Sequence, residues 1–410
     1  MLFPYSSDRP PRNIPITVII LILVHYLIFG VFAIFWKITN GNSLLVLFTN
    51  LCLVPYQMHW YSFLTYGFLH EDVFHLSVNM LFLWVFGSSV EDAIGWFRFL
   101  LFYLLAMIVT GAIQAMIVLM IPGTDHMMPI IGASGAVSAL MGLYAVRFYR
   151  SKIRFVGVPF QIPAILVLAI FLISEMTMAA LSLHHEFNQL FNAVAHWAHI
   201  TGFLFGILAG QSFHMYHAGR RDYVSTSAEK DMKHGSHVTA AMKWDHLLEL
   251  QPENLKALKE SARCWILTGE RETGLQRYGR LLSALLKEGN QKGALDIYAE
   301  MRNIDPSLIL PPPETLKIAS YMEENGDWKA SLEILQALLD SSPSTPETEM
   351  VRLRIATLLT NSGSHNLEAA ECLADFISDY PDSDFRGYAD RMLNQVRERL
   401  RAENESPDEG

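Results

Sequence analysis

Charged positions are so sparse along the first half of the chain that the intervals between them read as elements. Charge-free stretches run over 13–36, 38–70, 73–90, 99–124, 126–146, 155–174 and 187–219. A helix needs about 20 mostly apolar residues to cross a bilayer, and all but the second of these intervals have that character. The interval 38–70 instead holds Asn40-Gly41-Asn42-Ser43, Pro55, Gln57 and His59, among aromatics such as Tyr56, Trp60, Tyr61 and Tyr66. Trp and Tyr favour the headgroup interface, so this segment is predicted to be structured and to lie at the membrane surface, its non-helical backbone covered by protein or water. The first apolar run lacks a small-residue cleavage site and more spans follow it, so it is expected to remain as a span and not to be removed as a signal peptide.

The pattern changes after the sixth span. Residues 222–235 are polar and read as a linker; beyond them helical periods alternate with turn residues. Gly289, Gly326 and Gly363 recur at a spacing of 37 residues, and Pro306, Pro343 and Pro381 at 37 and 38. Stretches such as Gly326-Asp327-Trp328-Lys329-Ala330 ending at Pro343 resemble degenerate tetratricopeptide repeats, in which each unit is a helix pair. The predicted organisation is all-α. A six-span membrane domain occupies 1–217, a linker 218–237, a helical repeat domain 238–400 and a disordered tail 401–410.

Charge sharpens the division. Residues 1–217 hold 8 Asp/Glu and 8 Lys/Arg, whereas 218–410 hold 33 and 23, so the whole net charge of −10 belongs to the second half. This excludes one uniform globular domain and a fully disordered chain. An acidic soluble half repels phosphate, which argues against a nucleic-acid partner. Three widely spaced cysteines (Cys52, Cys264, Cys372) exclude a disulfide framework and a Cys-rich zinc site.

The placement of Lys and Arg orients the spans. Arg9, Arg12, Arg98, Arg147, Arg150, Lys152, Arg154, Arg220 and Arg221 all fall on one side if six helices alternate, and Lys37 alone on the other. Both termini and the acidic half are therefore expected in the cytoplasm of a bacterial cell, with the inner membrane as the bilayer. The loops 37–72, 122–133 and 182–190 then face outward.

Polar groups within bilayer helices are costly and point to function. They gather in three places: His70, His75 and Asn79 at the start of span 2; Gly132-Ala133-Ser134-Gly135 at the start of span 4; His196 and His199 at the start of span 6, ahead of Gly202, Gly206 and Gly210. Spans 2, 4 and 6 run in the same direction, so these ends meet on the outer side. A serine hydroxyl becomes a nucleophile when a base takes its proton, a role open to His199 and, one turn earlier, to His196. Asn79, His75 and the backbone N–H groups at the start of span 4 are candidate oxyanion donors. The glycine stripe allows span 6 to pack closely against another helix, expected to be span 4.

These residues resemble the rhomboid family of intramembrane serine proteases. The resemblance rests on Gly132-Ala133-Ser134-Gly135, on Ala198-His199-Ile200-Thr201-Gly202, on His70 and His75 followed by Asn79, and on Glu91, Gly95, Arg98 and Phe99. It covers roughly residues 45–215. It implies a Ser134–His199 dyad without an aspartate, and an oxyanion hole of His75, Asn79 and the Ser134 amide. Gly132, Gly135, His70 and Gly202 would support the site. It also implies substrates that are single-span membrane proteins cut near helix-weakening small residues. Many members carry an aromatic residue one turn after the nucleophile, beside the histidine; here that position is Ser138.

Other chemistries fit less well. His70-Glu71-x-x-x-His75 has one residue more than a zinc-binding H-E-x-x-H, so its imidazoles do not share a helix face. A transporter would show an internal repeat of its spans and polar residues at broken helices; no repeat is apparent, and the one acidic residue within a span is Glu175, near the end of span 5. No metal or organic cofactor is expected. The alternative function is a non-catalytic membrane scaffold whose repeats recruit soluble proteins; on either reading a protein or peptide partner is expected at the repeat.

Overall fold

A helix that is apolar all the way round is buried in a large core or faces lipid. Helix α1 (Ile16–Ile38) is of this kind: Ile20, Leu23, Leu27 and Ile34 are each more than half exposed. The computed structural model describes residues 4–38, 42–121, 126–182, 196–341 and 346–405, in two compact units, Met1–Tyr223 and Val224–Gly410.

In the first unit α1 is followed by α2 (Asn42–Leu51), the short α3 (Ser62–Thr65), α4 (Val73–Ile94), α5 (Trp96–Met120), α6 (Ser134–Arg147), α7 (Ala164–Ser182) and α8 (His196–Ser212). By length and composition α1, α4, α5 and α7 are able to cross a membrane. The remaining two of the six expected helices, α6 and α8, are shorter, with 14 and 17 residues. At about 1.5 Å per residue they reach roughly 21 and 26 Å, against about 30 Å of hydrocarbon. The charge-free interval 126–146 was longer than its helix because its first part, through Gly132, is a loop held by protein. Leu53 and Ile130 exchange backbone hydrogen bonds, and the Gly132 N–H donates to the Tyr66 carbonyl at 3.0 Å. The described part of 38–70 meets this loop through Leu53 and Tyr66, and it exposes Trp60 and Tyr56; residues 39–41 lie outside the described residues. Of the loops expected to face outward, 122–125 and 183–190 lie outside the described residues.

Helix α6 is the hub. Every residue from Gly135 to Ala145 is buried, and its neighbours are α8, α5, α4 and α7. A small antiparallel sheet clips the ends together: β1 (Pro4–Ser7) pairs with β2 (Lys152–Phe155), which pairs with β3 (Ile162–Pro163). The buried Glu91 carboxylate at the end of α4 accepts from the Thr17 and Val18 N–H groups, both at 2.9 Å. It satisfies unpaired donors at the N-terminus of α1 and meets the positive end of that helix. Gly95, at φ +83°, turns the chain from α4 into α5. Glu91→Ala leaves both donors buried without acceptors. It is expected to lower the thermal midpoint in detergent, by on the order of 2–4 kcal/mol of stability. Glu91→Gln keeps one acceptor oxygen and should lose less.

The segment 218–237, expected as a linker, is helical for most of its length: α9 spans Met215–Lys233. Its apolar stripe is short and narrow, Val224, Ala228 and Met232, packed on the repeat core, which is why composition reads it as a connection.

The second unit continues with α10 (His237–Leu250), α11 (Leu255–Leu267), α12 (Arg271–Glu288), α13 (Gln291–Ile304), α14 (Pro312–Glu324), α15 (Trp328–Ser341), α16 (Thr348–Ser362), α17 (Asn366–Asp379) and α18 (Arg386–Glu405). Consecutive helices pack on one another, the helix-pair array that the 37-residue spacing predicts. The recurring glycines end helices: Gly289, Gly326 and Gly363 lie at φ +70°, +83° and +68°, where a Cβ is strained. Helix starts are capped by Asn254, Asn290 and Asp327, whose side chains accept from Ala257, Gly293 and Ala330 N–H groups. One polar knot stabilises the first pairs, with Asp245 accepting from Ser261, Trp265 and Arg277. Burial pushes the neighbouring Cys264 thiol up to about 11, so it stays protonated at neutral pH. The tail expected to be disordered from 401 is helical to Glu405; 406–410, like Pro343 of the spaced prolines, lie outside the described residues.

Candidate functional site

Small residues decide where α6 and α8 meet. A Cβ built on Gly206 would sit 1.9 Å from the Ala139 carbonyl oxygen, and one on Gly142 would sit 2.0 Å from that of Phe203. One on Gly202 would come within 2.3 Å of the Gly135 carbonyl oxygen. The two backbones are therefore in direct contact, as the glycine stripe requires. Thr110 of α5 closes the crossing, its side chain lying against both Gly135 and Gly202. The Thr110 hydroxyl donates to the Ala106 carbonyl and touches the Tyr66 hydroxyl at 3.1 Å.

The crossing fixes the polar residues. Ser134 is the first residue of α6, one position before Gly135. His199 precedes Gly202 by one turn on the same face of α8, so it lies toward that end of α6. Gly132 has φ +110°, and a Cβ there would approach the His75 Cε1 and Nε2 atoms at 3.1 Å and the Ser134 Oγ at 3.9 Å. The position thus demands glycine twice, for its backbone angle and for its space. The His75 imidazole and the Ser134 hydroxyl face one small volume beside it. Ser134, His75 and His199 are partly buried and Asn79 is buried.

The remaining expected residues surround this group. The Asp72 carboxylate caps α4 by accepting from the His75 N–H at 2.8 Å. The Asn79 amide donates to the His75 carbonyl at 3.1 Å, within its own helix. His70 is buried between two other imidazoles, with ring centroids 5.3 Å from His75 and 5.6 Å from His25. Ser138, where an aromatic residue was expected, is buried. An aromatic neighbour of His199 comes instead from α7: the Phe171 ring lies 6.3 Å away.

Sequence reasoning missed the partners of two polar groups within the spans, the buried Gln114 and the partly buried Glu175. Gln114 of α5 accepts the Ala198 N–H at 2.8 Å, anchoring the first turn of α8. Glu175 of α7 reaches both histidines of α8. Its Oε2 lies 2.6 Å from His196 Nδ1 and 3.0 Å from His199 Nδ1. The His196 contact has hydrogen-bond geometry; the His199 contact has the distance, with the ring turned off the ideal line. The available signal was a single acidic residue inside an otherwise apolar span. Among the described residues, Glu175, His196 and His199 also have metal-ligating spacing, with their ligating atoms within 4.8 Å of one another. The sequence HExxxH at 70–75 does not form such a group.

A buried polar site inside a bundle of apolar helices defines a polytopic helical membrane protein. Residues 57–216 match the family model of the Rhomboid domain. The match contains His75, Asn79, Ser134, Glu175 and His199. The chain is similar to the rhomboid protease GluP of Bacillus subtilis, with 40% identity over 21% of this chain and 15% of that protein. It is also similar to the mitochondrial presenilin-associated rhomboid-like protein of Mus musculus, with 28% identity over 34% of each chain. The chloroplastic rhomboid-like protein 11 of Arabidopsis thaliana is 29% identical over 36% of this chain and 51% of that one. The matched part spans about a third of the length of the mouse relative.

Proposed function

We propose that the chain is an intramembrane serine endopeptidase acting on single-span membrane proteins, with Ser134 as nucleophile and His199 as general base. The observation that carries this reading is the α6–α8 crossing. Direct backbone contact at Gly135 and Gly202 brings the turn bearing His199 to the end of α6 that starts with Ser134.

In the proposed reaction the Ser134 Oγ attacks the scissile carbonyl carbon while its proton passes to His199 Nε2. His75, Asn79 and the Ser134 amide are the proposed donors to the oxyanion, aided by the N-terminal dipole of α6. The C–N bond then breaks, and the imidazolium proton goes to the departing amine. Water attacks the acyl-enzyme with His199 again taking a proton, which returns to Ser134 Oγ as the acid product leaves. On this reading the chemistry lies within the bilayer thickness and is reached by water from the outer side; the 14-residue length of α6, less than a full span, supports it.

The test is covalent labelling by a fluorophosphonate in detergent, with cleavage of a model transmembrane substrate alongside. The wild-type chain should be labelled and Ser134→Ala should not. Labelling that persists in Ser134→Ala, or no labelling of the wild type, refutes the assignment. Asn79→Ala removes one oxyanion donor and is expected to reduce kcat by about tenfold or more with little change in KM.

The proposed setting is a bacterial inner membrane with both termini in the cytoplasm. The acidic helical repeat is proposed as the recognition surface for a protein or peptide partner.

A further inference from the structure

A carboxylate inside an apolar helix must find donors or a counter-charge, and Glu175 finds two imidazoles. Its Oε2 lies within 3.0 Å of Nδ1 on both His196 and His199, and all three side chains are at most 14% exposed. His196 Nδ1 makes a hydrogen bond to this oxygen, and His199 Nδ1 stands at donor distance from it, 3.0 Å away and one small ring turn from alignment, so both rings fit donors to an anionic acceptor. Nδ1 is then the protonated nitrogen of each ring, and Nε2 is left as the acceptor. For His199 this is the tautomer a general base needs, with Nε2 left as the nitrogen able to accept a proton. The side chain comes from α7, whose Phe171 already lies beside the His199 ring. One helix thus supplies both an apolar wall and a polar anchor to the same imidazole. The 2.6 Å contact from His196 fixes the carboxylate rotamer, so His196 serves as a brace and not as a rival base.

Resting on the serine-protease reading above, we propose that Glu175 is a positioning residue that turns the Ser134–His199 pair into a triad. It acts through His199: it sets the tautomer and ring orientation, and it stabilises the positive charge that develops on the ring as Ser134 gives up its proton. Because that charge is larger in the transition state than in the bound state, the benefit appears in kcat and not in KM. A bound metal is the competing use of the same three ligands. The 2.6 Å separation favours a shared proton, since two ligands about 2 Å from one ion in tetrahedral array stand roughly 3.3 Å apart.

The test uses the full chain in detergent with wild type, Glu175→Gln, Glu175→Asp, His196→Gln and Ser134→Ala. Readouts are the rate of fluorophosphonate labelling, kcat and KM on a transmembrane substrate, thermal midpoint and metal content. Glu175→Gln keeps the shape but not the charge. It should lose about 10²-fold or more in both kcat and labelling rate at unchanged KM and thermal midpoint. Glu175→Asp should recover part of the loss, and His196→Gln should cost less than Glu175→Gln. Unchanged labelling and turnover in Glu175→Gln overturns the positioning role while leaving the nucleophile intact. So does a loss that follows the thermal midpoint or KM, which is the mark of a structural ion pair. A transition metal at one ion per chain, lost in Glu175→Gln and removable by chelator with a change in wild-type labelling, overturns it in favour of a metal site. Absence of labelling in the wild type overturns the protease reading and this proposal together.

Discussion

Ser134→Ala abolishes cleavage of a transmembrane substrate, with kcat expected to fall by at least about 10⁴-fold while substrate affinity and thermal midpoint stay near those of the wild type. The change deletes one oxygen from a partly buried side chain at the start of α6. It leaves the Gly135–Gly202 contact, the Gly132 turn and the buried length of α6 untouched, so the loss reads chemistry and not folding. His199→Ala is expected to lose about as much. The double variant should be no worse than either single one, because a nucleophile without its base and a base without its nucleophile are equally idle. Multiplicative losses would mean that the two residues act independently, and wild-type turnover in Ser134→Ala would end the assignment. The measurement is initial rate at saturating substrate in liposomes, with purified variants matched by thermal midpoint.

Much of this site was legible because polar atoms are conspicuous in apolar spans. Ser134, His199, His75 and Asn79 stood out against their surroundings, and the parallel direction of their spans was enough to predict that they meet. The glycine stripe was legible for the same reason: four-residue spacing puts Gly202, Gly206 and Gly210 on one face, and a bare face requires a close neighbour. Glu175 was visible as an isolated acid, but its partners lie 21 or more residues later on another helix. Which helix it faced depended on rotations about axes that composition does not record. The same holds for Gln114, whose value is that it meets the Ala198 N–H, and for Phe171, which stands where Ser138 left no aromatic ring.

Lengths were the weaker part. Absence of charge marks what lipid or protein tolerates, not what is helical, so the charge-free interval 126–146 runs well past its helix and includes part of the loop expected at 122–133. The reverse error occurred at 218–237. A stripe of only Val224, Ala228 and Met232 among polar residues was too narrow to read as a period, yet α9 forms across Met215–Lys233. In the second unit the glycines were legible because each does one job that other residues do badly, ending a helix at positive φ.

Gly206→Ala tests whether the α6–α8 contact sets the site from a distance. The added methyl would lie 1.9 Å from the Ala139 carbonyl oxygen and 2.7 Å from the Leu143 nitrogen. Both are backbone atoms of α6, so no rotamer change makes room and the helices must separate. Overpacking of this kind costs about 1–3 kcal/mol and shifts backbone. The site lies about two turns away along both helices, so parting them moves His199 relative to Ser134. A shift of about 1 Å in that pair is enough for a loss of roughly 10²-fold. The thermal midpoint should therefore fall, and the activity remaining at temperatures where the variant is fully folded should fall further. The glycines rank themselves by what a Cβ would meet. Gly142→Ala, facing the Phe203 carbonyl at 2.0 Å, should match Gly206→Ala. Gly210→Ala, facing only the Val146 side chain at 2.9 Å, should be milder because a side chain can turn aside. Gly30→Ala, with nothing within 4 Å, should be neutral or slightly stabilising. If Gly206→Ala kept full activity while Gly30→Ala lost it, close backbone contact would not be what holds the serine and the histidine together.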